Sequence, residues 1–211
     1  MKIYNVIILD ESGSMSSIYK STLSSINEVL GGIRREQEEN PEQENNVSIV
    51  TFEGDGMKGV KARRVCVPIA EVADFTETDY CPGGCTPLYD AMGVTLRTLE
   101  PMVTPEDRVL VTVITDGYEN ASHEYTGRMI KSMVTRLREK GWTFAYIGAA
   151  EDAIEVAKDL YINNAIRFDA TDEGMAVACK KMEYARRKSG RLWRLFKGKG
   201  EMESLDGIFD E

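Results

Sequence analysis

The chain has one histidine, His123, and no apolar run approaching the ~18 residues that a membrane span needs. Its 26 lysines and arginines are outnumbered by 35 aspartates and glutamates, giving a net charge of −9. Each shortage removes a class of function. A lone histidine without a recognisable orienting partner, and no Gly-x-Ser-x-Gly stretch, fits a serine hydrolase poorly. No Gly-x-x-x-x-Gly-Lys-Ser/Thr loop is present to cradle a nucleotide's phosphates. The acidic balance lacks the basic footprint of a nonspecific nucleic-acid binder. An acidic ligand stays open, because a bound divalent cation reverses the local field. Residues 3 to 9 are apolar, but Asp10 and Glu11 end the run and no small-residue cleavage site follows, so it does not read as a targeting segment. Four cysteines in such a chain are most simply reduced thiols, and the expected location is the cytoplasm. No internal repeat is found.

What is present is an ordinary globular composition, 42% hydrophobic and 29% charged, in 211 residues. That is long enough for one α/β domain with a full core and too short for two. Val6-Ile7-Ile8-Leu9 is a short apolar run closed by polar turn residues, which reads as a buried parallel strand. Leu23, Ile26, Leu30 and Ile33 recur at helical spacing, so residues 17 to 38 read as an amphipathic helix. The acidic run Glu36 to Glu44, interrupted by Pro41, ends it. Val47 to Phe52 forms a second strand, and the turn Glu53-Gly54-Asp55-Gly56 leads to a third over 60 to 68. This hairpin makes the third strand antiparallel, and its Lys61, Arg63 and Arg64 suit a sheet edge, where charge discourages unwanted pairing.

Thr86 and Pro87 then open a helix as N-cap and first residue, with Leu88, Met92, Leu96 and Leu99 as its buried stripe. Asp107 to Thr115 is a fourth strand, and Met129, Met133 and Leu137 mark the next helix. Trp142 to Gly148 is a fifth strand, followed by a short helix over 151 to 160 and a sixth strand from Ala165 to Phe168. A last helix over 171 to 188 has an acidic first turn and a basic last turn, matching the helix dipole, and Ser189-Gly190 stops it. The alternation predicts an α/β fold: a doubly wound, mostly parallel six-stranded sheet with one antiparallel edge strand and helices on both faces. The expected division is a domain over 1 to 188 and a tail over 189 to 211. In that tail Arg191, Arg194 and Lys197 interleave with Leu192, Trp193, Leu195 and Phe196, and an acidic end from Glu201 to Glu211 follows. It reads as a flexible tail or a segment docked on its own domain. A basic amphipathic handle for a partner or membrane surface is the alternative.

Three polar stretches sit at or near strand ends. Asp10-Glu11-Ser12-Gly13-Ser14 follows the first strand, Thr86 follows Gly83-Gly84-Cys85, and Asp116-Gly117 follows the fourth strand. Ligands collect beyond the carboxyl ends of strands in open α/β sheets. One carboxylate with two hydroxyls suits Mg²⁺ or Mn²⁺ far better than zinc or copper. Taken singly, each stretch is an ordinary strand end, helix cap or turn. Taken together, Asp10, Ser12, Ser14, Thr86 and Asp116 resemble the metal-ion-dependent adhesion site of von Willebrand factor A (vWA) domains. That pattern is Asp-x-Ser-x-Ser after the first strand, a Thr in a later loop and an Asp after the fourth strand. The resemblance spans roughly residues 2 to 188 and is nearest to the compact bacterial, cytoplasmic members of the tellurite-resistance type.

The resemblance implies a Rossmann-like fold and a metal site of those five residues, holding Mg²⁺ with Mn²⁺ or Ca²⁺ as substitutes. It implies capture of a partner protein's Glu or Asp rather than catalysis, and bacterial relatives often work beside ATPases or stress-response proteins. In the family the final helix can slide as ligand is captured. No nucleic-acid partner and no membrane span are expected. The enzymatic alternative is a Mg²⁺-dependent phosphohydrolase of the haloacid dehalogenase type using Asp10. That chemistry places a second Asp two positions on, where this chain has Ser12. Cys81 and Cys85 could hold zinc only with further ligands, while reduced thiols are the simpler expectation. His123 shares a polar loop with Glu119, Asn120 and Ser122, which could shape partner choice, and His123 itself is expected on the surface.

Overall fold

The computed structural model describes residues 1–195 and 204–210. Six strands, β1 (Lys2–Asp10), β2 (Glu44–Phe52), β3 (Val60–Pro68), β4 (Arg108–Thr115), β5 (Thr143–Gly148) and β6 (Asn164–Arg167), form one sheet in the order β3-β2-β1-β4-β5-β6. Every neighbouring pair is parallel except β2 with β3. Five helices, α1 (Tyr19–Glu39), α2 (Leu88–Leu99), α3 (Gly127–Glu139), α4 (Ala153–Asp159) and α5 (Asp172–Leu195), cover the two faces. The fold class expected from the sequence is the one observed.

Alternation along β1 splits the core in two. Tyr4, Val6 and Ile8 join the buried stripes of α2, α3 and α4, while Ile7 and Leu9 face α1 and α5. Because β1 pairs with β2 on one side and β4 on the other, the strand order reverses beside it. Leu9 pairs with Ile114, which brings Asp10 and Thr115 together at the carboxyl ends of the two strands. The crevice left at such a reversal is where open α/β sheets bind ligands.

Several local expectations need correction. The buried stripe of α3 is Ile130, Val134 and Leu137, and Met129 is exposed. Thr86 does not cap α2, which begins at Leu88 after Pro87 without a side-chain cap from its own N-terminal flank. β3 is the antiparallel edge strand, yet Lys61 and Arg63 reach inward to Glu11 rather than standing guard over the edge.

The last helix does not stop at Ser189-Gly190 but runs to Leu195. Ser189 satisfies its hydroxyl on the Ala185 carbonyl one turn back, at 2.8 Å. A Cβ on Gly190 would meet Glu36 Oε1 of α1, so this glycine serves a close helix approach and not a cap. Trp193 is buried with Ile3, Leu110, Ala145 and Ala185 at the end of the sheet opposite the crevice. Residues 205 to 208 pack there too: Leu205 N–H donates to Thr143 Oγ1 and Ile208 N–H to Asn164 Oδ1, each at 3.1 Å. The described part of the expected tail is thus docked on its own domain. Phe196, Lys197, Glu201 and Glu211 lie outside the described residues. No helix among the described residues is long and apolar enough to cross a membrane.

Candidate functional site

Asp10 ends β1 with its side chain fully buried. Its Oδ1 accepts the Ser12 N–H at 2.7 Å and its Oδ2 accepts the Thr115 hydroxyl at 2.5 Å. The turn that follows sends Ser12 and Ser14 back over the strand end, with their hydroxyl oxygens 3.2 Å apart. Ser14 Oγ donates to Asp116 Oδ1 at 2.6 Å, joining the loop after β1 to the loop after β4. Thr86 arrives from a third segment and is also buried. Its backbone N–H is held by Asn120 Oδ1 at 2.8 Å, and its carbonyl accepts the Asn120 N–H at 3.2 Å.

Gly117 measures how closely these groups converge. A Cβ built on it would stand 3.1 Å from Thr86 Oγ1, 3.4 Å from Ser14 Oγ and 3.6 Å from Asp10 Oδ2. One point in space therefore lies within 3.6 Å of side-chain oxygens from three separate segments. Ser12 and Asp116 join the same group through their contacts with Ser14. All five residues singled out from the sequence meet in one cradle.

The donor set consists of two carboxylates and three hydroxyls, all hard oxygens, which suits a hard divalent cation. Among the described residues no guanidinium or ammonium contacts either carboxylate. Burial pushes the Asp10 carboxyl up to about 6. Its hydrogen bonds from Thr115 and Ser12 pull the other way, and the charge of Asp116 adds to the rise. Burial also raises Asp116, and the Ser14 hydroxyl partly offsets that. Two adjacent carboxylates, each disfavoured as an anion, form a local deficit of positive charge.

The loops that carry the cradle are tied down by residues that sequence reasoning passed over. Glu11, next to Asp10, is fully buried and accepts the Cys81 N–H at 2.6 Å and Arg63 at 3.1 Å. Its carbonyl accepts the Gly83 N–H at 2.8 Å, and Gly13 N–H donates to the Gly84 carbonyl at 3.1 Å. The segment leading to Thr86 is thereby laced to the Asp10–Ser14 loop. Gly84 has φ +66, and a Cβ there would strike Gly54, so the crossing needs glycine.

Glu119 and Ser122 cap α2 from a distance. Glu119 Oε2 accepts the Tyr89 N–H at 2.9 Å, and Ser122 Oγ accepts the Asp90 N–H at 3.0 Å. Asp90, fully buried, returns the favour by accepting the N–H groups of His123, Glu124 and Tyr125. His123 is exposed, in line with the surface position expected of it, and its Nε2 lies 2.6 Å from Asp55 Oδ1. All four cysteines are unpaired; Cys81 and Cys85 are exposed. A signal for Glu11 was available in the sequence: a second carboxylate beside Asp10, with two cations on the strand after the hairpin.

No family model and no curated protein matches the chain. Solved structures do match it. The SpRpn10 VWA domain superposes with a TM-score of 0.56 at 11% identity, over 83% of this chain and 92% of that one. A von Willebrand factor type A from Catenulispora acidiphila gives 0.52 at 13% identity, over 86% of this chain and 42% of that one. The D319A mutant of the PilB minor pilin from Streptococcus sanguinis gives 0.61 at 12% identity, over 92% of this chain and 63% of that one. This chain thus spans less than two thirds of the pilin and less than half of the Catenulispora protein. At such identities the likeness is one of fold, and the fold is that of a vWA domain.

Proposed function

We propose that the chain is a protein-interaction module of the compact, cytoplasmic, stand-alone kind. In this reading Asp10, Ser12, Ser14, Thr86 and Asp116 hold Mg²⁺, with Mn²⁺ or Ca²⁺ as substitutes, and the site captures a Glu or Asp side chain of a partner protein. The observation that carries it is the point beside Gly117, within 3.6 Å of oxygens of Asp10, Ser14 and Thr86 and next to two carboxylates that no cation of the described residues contacts. Mg²⁺ takes oxygen ligands at roughly 2.0–2.1 Å and keeps part of its shell for outside oxygens. When bound, the ion supplies the attraction for that outside carboxylate.

The chain's own residues supply the rest. Asp10 and Asp116 neutralise charge, and the three hydroxyls orient without adding more. Thr115 and the Ser12 N–H fix the Asp10 carboxylate, and Asn120 fixes the backbone of Thr86. A phosphohydrolase using Asp10 is disfavoured because Ser12, whose hydroxyl lies against Ser14 Oγ, stands where that chemistry needs a second aspartate for proton transfer.

Asp116→Ala tests the reading. Asp116 is only partly buried, so its removal should leave the fold and melting temperature near those of the parent. Calorimetric titration should show Mg²⁺ binding to the parent chain and none to the variant. Unchanged Mg²⁺ affinity in a folded variant removes the assignment, and phosphatase turnover with Mg²⁺ that is lost on Asp10→Asn replaces it with the enzyme.

A further inference from the structure

We propose that the groove between the C-terminal halves of α1 and α5, at the pole opposite the candidate metal site, docks an acidic polypeptide segment. The groove encloses about 550 Å³. From Lys180 to Leu195, α5 carries seven cations and a single carboxylate, Glu183, in a chain whose net charge is −9. The carboxylates in the groove wall are largely spoken for. Glu36 is buried against Arg186 and lies 3.4 Å from Arg194, and Glu183 meets Arg35 at 3.2 Å. Lys180, Arg187 and Arg191 also line the groove, stand exposed, and have no carboxylate within 4.0 Å among the described residues.

Their spacing of seven and then four residues puts all three on one helical face, along about 16 Å of axis. An extended segment of about five residues covers that length.

The kind of partner follows from what else the helix exposes. Trp193 is only 1% exposed, and of the large apolar side chains on this half of α5 only Tyr184 and Leu195 stay exposed. A membrane surface would therefore find charge but no apolar face to bury. A dense polyphosphate would meet Glu39 and Glu183 in the same groove, and would be repelled by the net charge of the whole chain. A short run of carboxylates spaced along a peptide answers these three cations with the least repulsion.

Fluorescence anisotropy with a labelled peptide of alternating glutamate and serine tests this, using the full chain at low ionic strength in EDTA. The expected result is saturable binding that weakens as salt is added. The triple variant Lys180→Ala/Arg187→Ala/Arg191→Ala should weaken it about tenfold, the combined loss of three exposed ion pairs. Arg128→Ala/Lys131→Ala on α3, where both residues are exposed, should leave it unchanged, as should Asp116→Ala. Circular dichroism should show all three variants folded. Absence of binding, binding untouched by the triple variant, or equal or tighter binding of single-stranded DNA or phosphatidylserine vesicles overturns the proposal. Because EDTA removes divalent ions, none of these results bears on the metal reading, which stands or falls with calorimetry on Asp116→Ala.

Discussion

Two buried carboxylate sites in this molecule are built on opposite terms. Between α1 and α5, Glu36 is answered by two guanidiniums, those of Arg186 and Arg194. In the crevice, the described residues answer Asp10 and Asp116 only with hydroxyls and a backbone N–H, and none of their cations lies against either. Glu11 follows the first pattern, with Arg63 and Lys61 upon it. Where a carboxylate serves structure alone, neighbouring elements supply its counter-charge. Asp90 shows that backbone amides can replace a cation when one carboxylate stands alone, since it gathers three of them. At Asp10 and Asp116 two carboxylates share one cradle, and the missing charge is what a divalent ion would provide.

The sharpest way to break this comparison is on its structural side. Glu36→Ala leaves Arg186, only 4% exposed, as a buried guanidinium whose Nε and Nη2 already lack protein partners. Removing one member of a buried pair costs about 3–5 kcal/mol. Urea unfolding should therefore show the largest stability loss of the variants discussed here, with α5 loosened from α1. A loss below about 1 kcal/mol would mean that water already compensates Arg186 and that the pair contributes little.

The crevice should respond in the opposite sense. Asp10 has a folded-state pKa of about 6, raised from an ordinary 3.8 mainly by burial. The folded protein thus holds this proton more tightly than the unfolded chain. As pH rises through that window the fold must accept a buried anion, which by pH 7 costs about 3 kcal/mol. Asp10→Asn removes the titration and keeps the shape. Its Oδ1 can accept from Ser12 N–H, and its amide can donate to Thr115, whose hydroxyl turns to the Gly117 carbonyl 3.3 Å away. In EDTA the variant should be the more stable protein above pH 6, and the difference should vanish below about pH 4. A difference independent of pH would show that Asp10 does not carry the penalty.

How much of this was legible in the sequence depends on how far each signal reaches along the chain. The strands and most helix faces follow from periods of 2 and 3.6, so Val6 and Ile8 against Ile7 and Leu9 could be assigned without coordinates, while on α3 the apolar Met129 sits beside Ile130 and blurred the face. The five cradle residues were legible because the pattern names residue types at strand ends, and β1 and β4 are unmistakable strands. Roles set by distant partners were not. Thr86 looks like a cap until Asn120, 34 residues on, takes its N–H. Ser189-Gly190 looks like a stop until Glu36 of α1 fills the space that Gly190 leaves. Thr115 reads as one more strand residue until Asp10, 105 residues away, accepts its hydroxyl.

The mildest change is also the most specific to the space between the crevice oxygens. Gly117 does not have a positive φ, so alanine meets no backbone strain there. Its methyl carbon would stand 3.1 Å from Thr86 Oγ1, close enough that the neighbour must shift by a few tenths of an ångström. Gly117→Ala should then change the unfolding free energy by less than about 1 kcal/mol in EDTA. The same methyl occupies the point on which Thr86, Ser14 and Asp10 converge, where an ion or its retained water would have to sit. Mg²⁺ affinity should fall about tenfold, equivalent to about 1.4 kcal/mol. Undiminished affinity in this variant would put the ion elsewhere in the crevice, even if Asp116 were still required. A loss confined to Mg²⁺ binding, with stability intact, would tie the charge imbalance of Asp10 and Asp116 to the place where an ion neutralises it.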